Sequence, residues 1–252
     1  MTTRVIGIIS GKGGAGKTIV SINLAAALQK YYGKKVLLID TNPTTSHIGL
    51  YLGMYSTPTT LNDALRKNLP IKSAIYEHTS GIHVVPTSLK VDDLKNVPFD
   101  NLQKKLKQLA GEYDYIILDS APGFGKEALI TLKTADEVLM VTNPLAHTVT
   151  DALRAHEMAK KFNLNTLGIA VNMVRKKGYE LKKNEIESIV GVPVHAMIPF
   201  DNAVMESVNK KQPVVHMNSS ANNEFRRLAA IINGETVIPR ENQGFFARIF
   251  GR

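Results

Sequence analysis

The residues with the clearest chemical potential form one Gly-rich segment near the start of the chain. Their spacing is G-x-x-x-x-G-K-[ST], and they are Gly11, Lys12, Gly13, Gly14, Ala15, Gly16, Lys17 and Thr18. Because glycine has no side chain to block a ligand, the backbone N–H groups of such a segment can surround a polyphosphate. We expect Lys17 to contact the β- and γ-phosphates and the Thr18 hydroxyl to bind Mg²⁺. The segment therefore predicts binding of a nucleoside triphosphate and phosphoryl-transfer chemistry.

Two aspartates end apolar runs that are typical of buried strands. Asp40 closes VLLID and Asp119 closes YIILD. A carboxylate after a buried strand can hold Mg²⁺ beside bound phosphates, usually through water, and we predict that Asp119 has this role. Asp40 also begins the loop that follows its strand, and it is predicted to contribute to the metal site. The alternative is that each aspartate only caps the loop that follows it.

The elements that must position these residues alternate regularly along the chain. Nearly continuous β-branched and apolar runs predict strands over 5–10, 36–40, 82–85, 115–119, 138–142, 167–171 and 194–198. Helical spacing occupies 19–31, 101–110, 149–162 and 184–190. This order predicts an α/β fold, a doubly wound and mostly parallel sheet flanked by helices, as in P-loop NTPases. Ligands then bind beyond the carboxyl ends of the strands.

Length, charge and composition restrict the function classes. The chain has 252 residues, no cysteine, and 31 Lys+Arg against 22 Asp+Glu, a formal net charge of +9. The absence of cysteine excludes disulfides, thiolate metal sites and iron–sulfur ligation. No apolar run reaches the ~20 residues of a membrane-spanning helix, and no signal peptide is visible, so we expect a cytoplasmic protein. The positive charge favours acidic partners such as nucleotides, nucleic acid or anionic lipid, or reflects only a basic surface.

The second lysine of the Gly-rich segment makes a family resemblance specific. GKGGAGKT resembles the deviant Walker A loop of the MinD/ParA ATPases. By that resemblance, Lys12 crosses a dimer interface to the nucleotide of the partner subunit, which implies an ATP-dependent homodimer with Mg²⁺. Ile19 departs from the threonine more usual in the family, so only its backbone N–H could meet the α-phosphate. The sequence Ser120-Ala121-Pro122-Gly123 resembles the family's second switch segment, in which Pro122 and Gly123 respond to a γ-phosphate.

The first switch segment lacks one carboxylate that the resemblance leads us to expect. Members of the family usually have D-x-D here, with the second aspartate orienting or activating water, whereas this chain has Asp40-Thr41-Asn42-Pro43. Asparagine has a similar shape but carries no charge and cannot accept a proton from water. We therefore predict a chain that binds ATP and hydrolyses it very slowly.

The base-binding residues rest on the same resemblance. Asn172 follows a predicted strand, and Pro199 and Asp201 belong to the segment Ile198-Pro199-Phe200-Asp201. The resemblance implies that Asn172 pairs with adenine, Pro199 packs on its ring and Asp201 approaches its polar edge. The alternative is a strand-end asparagine and an aspartate that caps a helix.

The C-terminal residues have an amphipathic pattern. On a helix, the aromatic and aliphatic side chains share one face and arginines occupy the other, the relevant residues being Phe245, Phe246, Arg248, Ile249 and Phe250. The segment resembles the membrane-targeting sequence of the MinD branch of the family. The alternatives are a terminal helix packed on the protein's own core and a frayed end.

These observations together predict an ATPase domain over 1–239 and an amphipathic, membrane-targeting tail over 240–252. The expected function is a MinD-like ATP-dependent switch that dimerises and associates peripherally with the inner face of the cell membrane, for spatial regulation such as division-site placement. An unidentified activator or effector protein is implied as a partner. The alternative is a ParA-type partition ATPase whose ATP dimer binds DNA non-specifically, which the net charge permits and the tail disfavours.

Overall fold

A computed structural model describes residues 2–42, 47–94 and 97–235, without the side chains of residues 91 and 94. The strands in these residues are β1 Arg4–Ile9, β2 Val36–Asp40, β3 Tyr76–Glu77, β4 His83–Val85, β5 Tyr115–Asp119, β6 Glu137–Thr142, β7 Asn165–Val174 and β8 Val194–Pro199. The α-helices are α1 Lys17–Tyr32, α2 Ile48–Tyr51, α3 Leu61–Arg66, α4 Leu102–Leu106, α5 Lys126–Thr134, α6 Ala146–Lys161, α7 Lys183–Val190, α8 Asn202–Asn209 and α9 Asn222–Ile232.

The strands form one sheet in the order β3-β4-β2-β5-β1-β6-β7-β8. Every neighbouring pair is parallel except β3 and β4, which are antiparallel. The order reverses at β1, from which the chain winds in both directions. Strands β1, β2 and β5 are central, so the ends of these three strands define the middle of one sheet edge. This arrangement confirms the predicted doubly wound α/β fold.

The hydrophobic core lies on both faces of the sheet. Helix α1 is buried along most of its length because the sheet covers one side and α9 packs on the other. Leu24 and Leu28 of α1 and Phe225 of α9 belong to this face and are fully buried. Helices α3 and α4 cover strands β2, β4 and β5 on the opposite face, and α6 and α7 cover β6 to β8. In the described part of the chain, no helix is long and apolar enough to cross a bilayer.

The predicted strands are confirmed, with ends that differ by at most three residues. The two-residue edge strand β3 was not predicted, because so short a segment has no usable periodicity. The helix predicted over 101–110 is shorter, since α4 ends at Leu106 and a 3₁₀ turn continues over Lys107–Leu109. No helix was predicted for the segments that form α2, α3, α5, α8 and α9. Pro43, the boundary at 239 and the whole predicted tail lie outside the described residues.

Candidate nucleotide site

The Gly-rich segment connects β1 to α1 at the carboxyl edge of the sheet. Gly16 immediately precedes α1 with φ +85°, a left-handed conformation that favours glycine. Gly11 is required for a different reason, because a Cβ there would collide with the backbone of Asp151 in the second turn of α6. The loop therefore presents its backbone to an open space at the N-terminal end of a 16-residue helix. Such a helix end attracts anions through its unpaired N–H groups and its dipole.

The two lysines of this loop have different environments. Lys17 is only 7% exposed, and its Nζ donates a hydrogen bond to the Ser10 hydroxyl at 3.0 Å. Burial lowers the pKa of Lys17, and the charge of Asp119 partly opposes this shift. Lys12 is exposed and does not line the cavity described below. Of the two lysines, only Lys17 lines the cavity.

The two strand-end carboxylates lie side by side, because β2 and β5 place Asp40 and Asp119 at the same register position. Both are buried, with 1% and 2% exposure. Asp40 accepts hydrogen bonds from the backbone N–H groups of Asn42 at 3.0 Å and His47 at 3.1 Å. Desolvation, and then the nearby charge of Asp119, raises the pKa of Asp40 to about 7. Asp119 accepts a hydrogen bond from Ser21 at 3.0 Å.

This donor set fits Mg²⁺ that arrives with a nucleotide. Burial raises the pKa of Asp119, opposed by hydrogen bonds from Thr18 and Ser21 and by the charge of Lys17. Hydroxyl and carboxylate oxygens are the ligands that Mg²⁺ prefers, and it commonly completes its shell with water and phosphate oxygens. Thr18, Asp40 and Asp119 would hold the ion, which would neutralise phosphate charge. Within the described ranges, no cluster of three or more His, Cys, Asp or Glu residues forms a separate metal site.

A cavity of about 420 Å³ is lined by Thr18 and by Asn42 and Ser120, which closely follow Asp40 and Asp119 in the sequence, whereas the two aspartates themselves do not line it. Its phosphate side contains loop residues and both switch segments, namely Gly13, Gly14, Gly16, Lys17, Thr18, Asn42, Ser120 and Pro122. Asn42 is 4% exposed and is one of the residues that line the cavity. The N–H of Gly123 donates to the carbonyl of Ser10 at 3.2 Å, so the second switch segment contacts the start of the phosphate loop.

The other end of the cavity is mostly apolar. Asn172, Pro199 and Asp201 all line it, so the structure brings the three predicted base-binding residues together. The Nδ2 group of Asn172 donates to the carbonyl of Ala15 at 3.0 Å, which fixes the side chain against the phosphate loop. Ile19 also lines this end of the cavity. Binding of a base at this end of the cavity stays a prediction.

The Asp201 carboxylate also has structural partners. One oxygen accepts from the backbone N–H of Ala203 at 2.9 Å and caps α8. The other accepts from Ser219 and from both the hydroxyl and the N–H of Ser220. Hydrogen bonds, that of the Ser220 hydroxyl first, lower the pKa of Asp201 to about 2. Asp201 therefore caps α8, as the alternative interpretation predicted. An additional contact of Asp201 with a base stays a prediction.

Several cavity residues were missed in the sequence. His47 immediately precedes α2 and Tyr51 ends it, while Met173 belongs to β7 and Met205 to α8. Phe200 is 42% exposed, and the Arg175 guanidinium lies 3.7 Å from its ring centroid. Of these residues, only Phe200 could have been predicted from the sequence, since it lies between the predicted base-binding residues Pro199 and Asp201. The others belong to elements that were not predicted or have apolar side chains that resemble core residues.

Comparisons with known proteins agree with this geometry. A family model described as ParA, NUBPL iron-transfer P-loop NTPase, matches residues 1–233. An uncharacterized ATP-binding protein of Methanocaldococcus jannaschii is 34% identical, with 98% of this chain and 97% of that protein covered. The cell division ATPase MinD of Pyrococcus furiosus superposes with a TM-score of 0.87 at 31% identity, covering 91% of this chain and 98% of that one.

A second solved structure connects the comparison to the ligand. MinD of Pyrococcus horikoshii, determined with Mg-ADP, has a TM-score of 0.87 at 30% identity and covers 92% of this chain and 96% of its own. The match to an iron-transfer family does not extend to cluster ligation here, because this chain has no cysteine. The similarity extends over almost the whole described chain and includes the sheet and the helices that flank it. On this evidence, the chain belongs to the ParA/MinD family of P-loop NTPases.

Proposed function

We propose that this protein is an ATP-dependent molecular switch of the MinD type, which dimerises around two ATP molecules and controls a spatially regulated process such as division-site placement. The family consists of ATPases, and the Mg-ADP complex of a 30% identical MinD supports nucleotide and Mg²⁺ as ligands. The observation that carries the proposal is the cavity in which Lys17 and both switch segments meet. A nucleotide bound there would contact the phosphate loop and both switch segments at once.

The difference between the two loop lysines supports dimerisation. Lys17 already points toward the site of its own subunit, whereas Lys12 is exposed at the edge of the same loop. A second subunit that approaches this edge would receive Lys12 beside its own nucleotide. One charge-assisted contact to phosphate from each subunit would couple the association of the two subunits to ATP.

Light scattering tests this proposal directly. We expect the chain to be monomeric with Mg-ADP and dimeric with saturating Mg-ATP. Lys12→Ala should bind the nucleotide and stay monomeric, whereas Lys17→Ala should lose nucleotide affinity itself. The pair is a matched control, since both substitutions remove one lysine from one loop. A native chain that remains monomeric with bound ATP would contradict the proposal.

We further propose that hydrolysis is slow because Asn42 replaces a carboxylate. Asn42 lies in the cavity wall, and its backbone N–H is held by Asp40. Its side chain can orient water by hydrogen bonding but cannot take a proton. A slow rate would prolong the ATP-bound dimer, and an activator or effector protein would then set its lifetime.

The predicted tail provides the proposed contact with the membrane. Four large apolar residues are each worth ~1.5–3 kcal/mol if fully buried, but ordering the segment offsets part of this gain. One tail would therefore bind weakly, whereas two tails on one dimer gain affinity through avidity. ATP would in this way regulate membrane residence through the oligomeric state.

Non-specific DNA binding by the ATP dimer is the second candidate. The net charge of +9 permits it, because lysines and arginines that contact phosphates release counterions. DNA binding of this kind weakens steeply with salt, whereas insertion of apolar residues into a bilayer does not. The salt dependence of binding therefore distinguishes the two candidates.

A further inference from the structure

A second cavity, of about 350 Å³, lies between the end of α3 and α4 on the face of the sheet that these helices cover. It shares no lining residue with the nucleotide cavity. Its polar lining consists of three cations and three amides, namely Arg66, Lys104, Lys105, Asn68, Asn101 and Gln108. No carboxylate belongs to the lining that the structure describes. The cavity therefore has a positive character and many hydrogen-bond donors.

Lys105 is the unusual residue of this group. It is only 5% exposed, and its Nζ donates to Asn68 Oδ1 at 3.0 Å and to the carbonyl of Leu69 at 2.6 Å. Both acceptors are neutral, so neither neutralises the ammonium, which has three protons to donate. A buried charge without a counterion is costly, and proteins usually pair it. An anion in the cavity would supply the missing charge.

Neighbouring cations differ from Lys105 in this respect. Lys67 lies 2.8 Å from Asp63, and Lys72 lies 2.6 Å from Glu112. Arg66 lines the cavity but already contacts Asp93 at 3.5 Å. These three carboxylates are thus paired with other cations, while Lys105 donates to an amide oxygen and a backbone carbonyl and lines the cavity.

We propose that this cavity is a second ligand site, which binds the phosphate group of a small phosphorylated molecule. Lys105 would be the central contact, Lys104 would add charge at the rim, and the amide groups of Asn101 and Gln108 would complete the hydrogen bonds. A phosphate offers several charged acceptor oxygens to such convergent donors. The volume lies in the range of small-molecule pockets, which leaves room for a few atoms beyond the phosphate.

Thermal unfolding in inorganic phosphate tests the proposal. The chain is first saturated with Mg-ADP, so that the phosphate loop is occupied, and chloride keeps the ionic strength constant. We expect the midpoint to rise with phosphate concentration in the native chain and in Lys107→Met, which removes an exposed lysine outside the cavity lining. Lys105→Met and Asn101→Asp should need at least a ~10-fold higher phosphate concentration for the same rise.

The variants keep the experiment decisive. Asn101 is exposed, so Asn101→Asp tests the site through charge repulsion even if Lys105→Met unfolds. Phosphate also stabilises proteins by exclusion from their surface, but that effect is the same for every variant. Parallel shifts in all four chains, or no shift in the native chain, would overturn the proposal. Loss confined to Lys105→Met and Asn101→Asp would support it.

Discussion

At the scale of single residues, the proposed slow hydrolysis depends on Asn42, which lines the same cavity as Thr18 and Ser120. Asn42→Asp supplies a carboxylate at this position, and we expect single-turnover hydrolysis of ATP to accelerate by ~10²–10⁴-fold. Asn42→Ala serves as the control and should be no faster than the native chain. Equal rates for the aspartate variant and the native chain would refute the role of this position.

We expect Asp40 to make the stability of the ligand-free protein depend on pH. Its pKa is raised to about 7 by burial, whereas an unfolded aspartate titrates near ~3.9. Between these values the folded chain holds a proton that the unfolded chain has released. The free energy of unfolding should therefore fall as the pH rises through this window and then level off above pH ~7.

Urea unfolding in the absence of Mg²⁺ and nucleotide measures this effect. We expect Asp40→Asn to be more stable than the native chain at pH 8 and to gain little at pH 4. Asp136→Asn is the control, because Asp136 is exposed and should show no such difference. If Asp40→Asn and the native chain have the same pH profile, the carboxylate is not buried as described.

At the scale of elements, Asp201 joins the start of α8 to the segment that precedes α9. Its carboxylate caps α8 and holds Ser219 and Ser220. We expect Asp201→Ala to destabilise the chain by ~1–2 kcal/mol and Asp201→Asn by less, since the amide oxygen can still cap the helix. Urea unfolding at pH 7 measures both values.

The pH dependence separates charge from capping at this position. The pKa of Asp201 is lowered to about 2, so its charge-dependent stability is complete above the unfolded pKa of ~3.9 and is lost as the pH falls toward 2. The advantage of the native chain over Asp201→Asn should therefore be smaller at pH 3 than at pH 7. Glu206→Gln, on the exposed side of α8, should change stability by less than ~1 kcal/mol at either pH.

At the scale of the whole molecule, the proposed membrane binding depends on two subunits acting together. We expect the full chain to sediment with anionic vesicles ~10²–10⁴-fold more strongly with ATP than with ADP. A chain cut after Asn242 should lose this binding, and Lys12→Ala should bind only as well as the ADP form. Equal sedimentation with both nucleotides, or sedimentation of the shortened chain, would contradict the proposal. Salt-sensitive DNA binding by the shortened chain would favour the second candidate.

The phosphate loop and most strands could be predicted from the sequence because their signals are local. The spacing of Gly11, Gly16 and Lys17 is complete within eight residues, and each buried strand is a short continuous apolar run. Helix α1 was also visible, although it is buried along most of its length. Short elements such as β3 and α2 were not visible, because a segment of two to four residues shows no period.

The tertiary structure decided what residues distant in the sequence do together. Asp40 and Asp119 become neighbours only because β2 pairs with β5, and this contact contributes to the raised pKa of Asp40. Asp201 receives its hydrogen bonds from a loop that begins 18 residues later in the chain. Lys105 donates its hydrogen bonds to Asn68 and Leu69, more than thirty residues earlier. The sequence determined which functional groups lie close together along the chain, because residues linked by a few peptide bonds stay near one another in any fold. The tertiary structure decided the charge state and the hydrogen-bond partners of these groups, because both depend on which distant segments pack together.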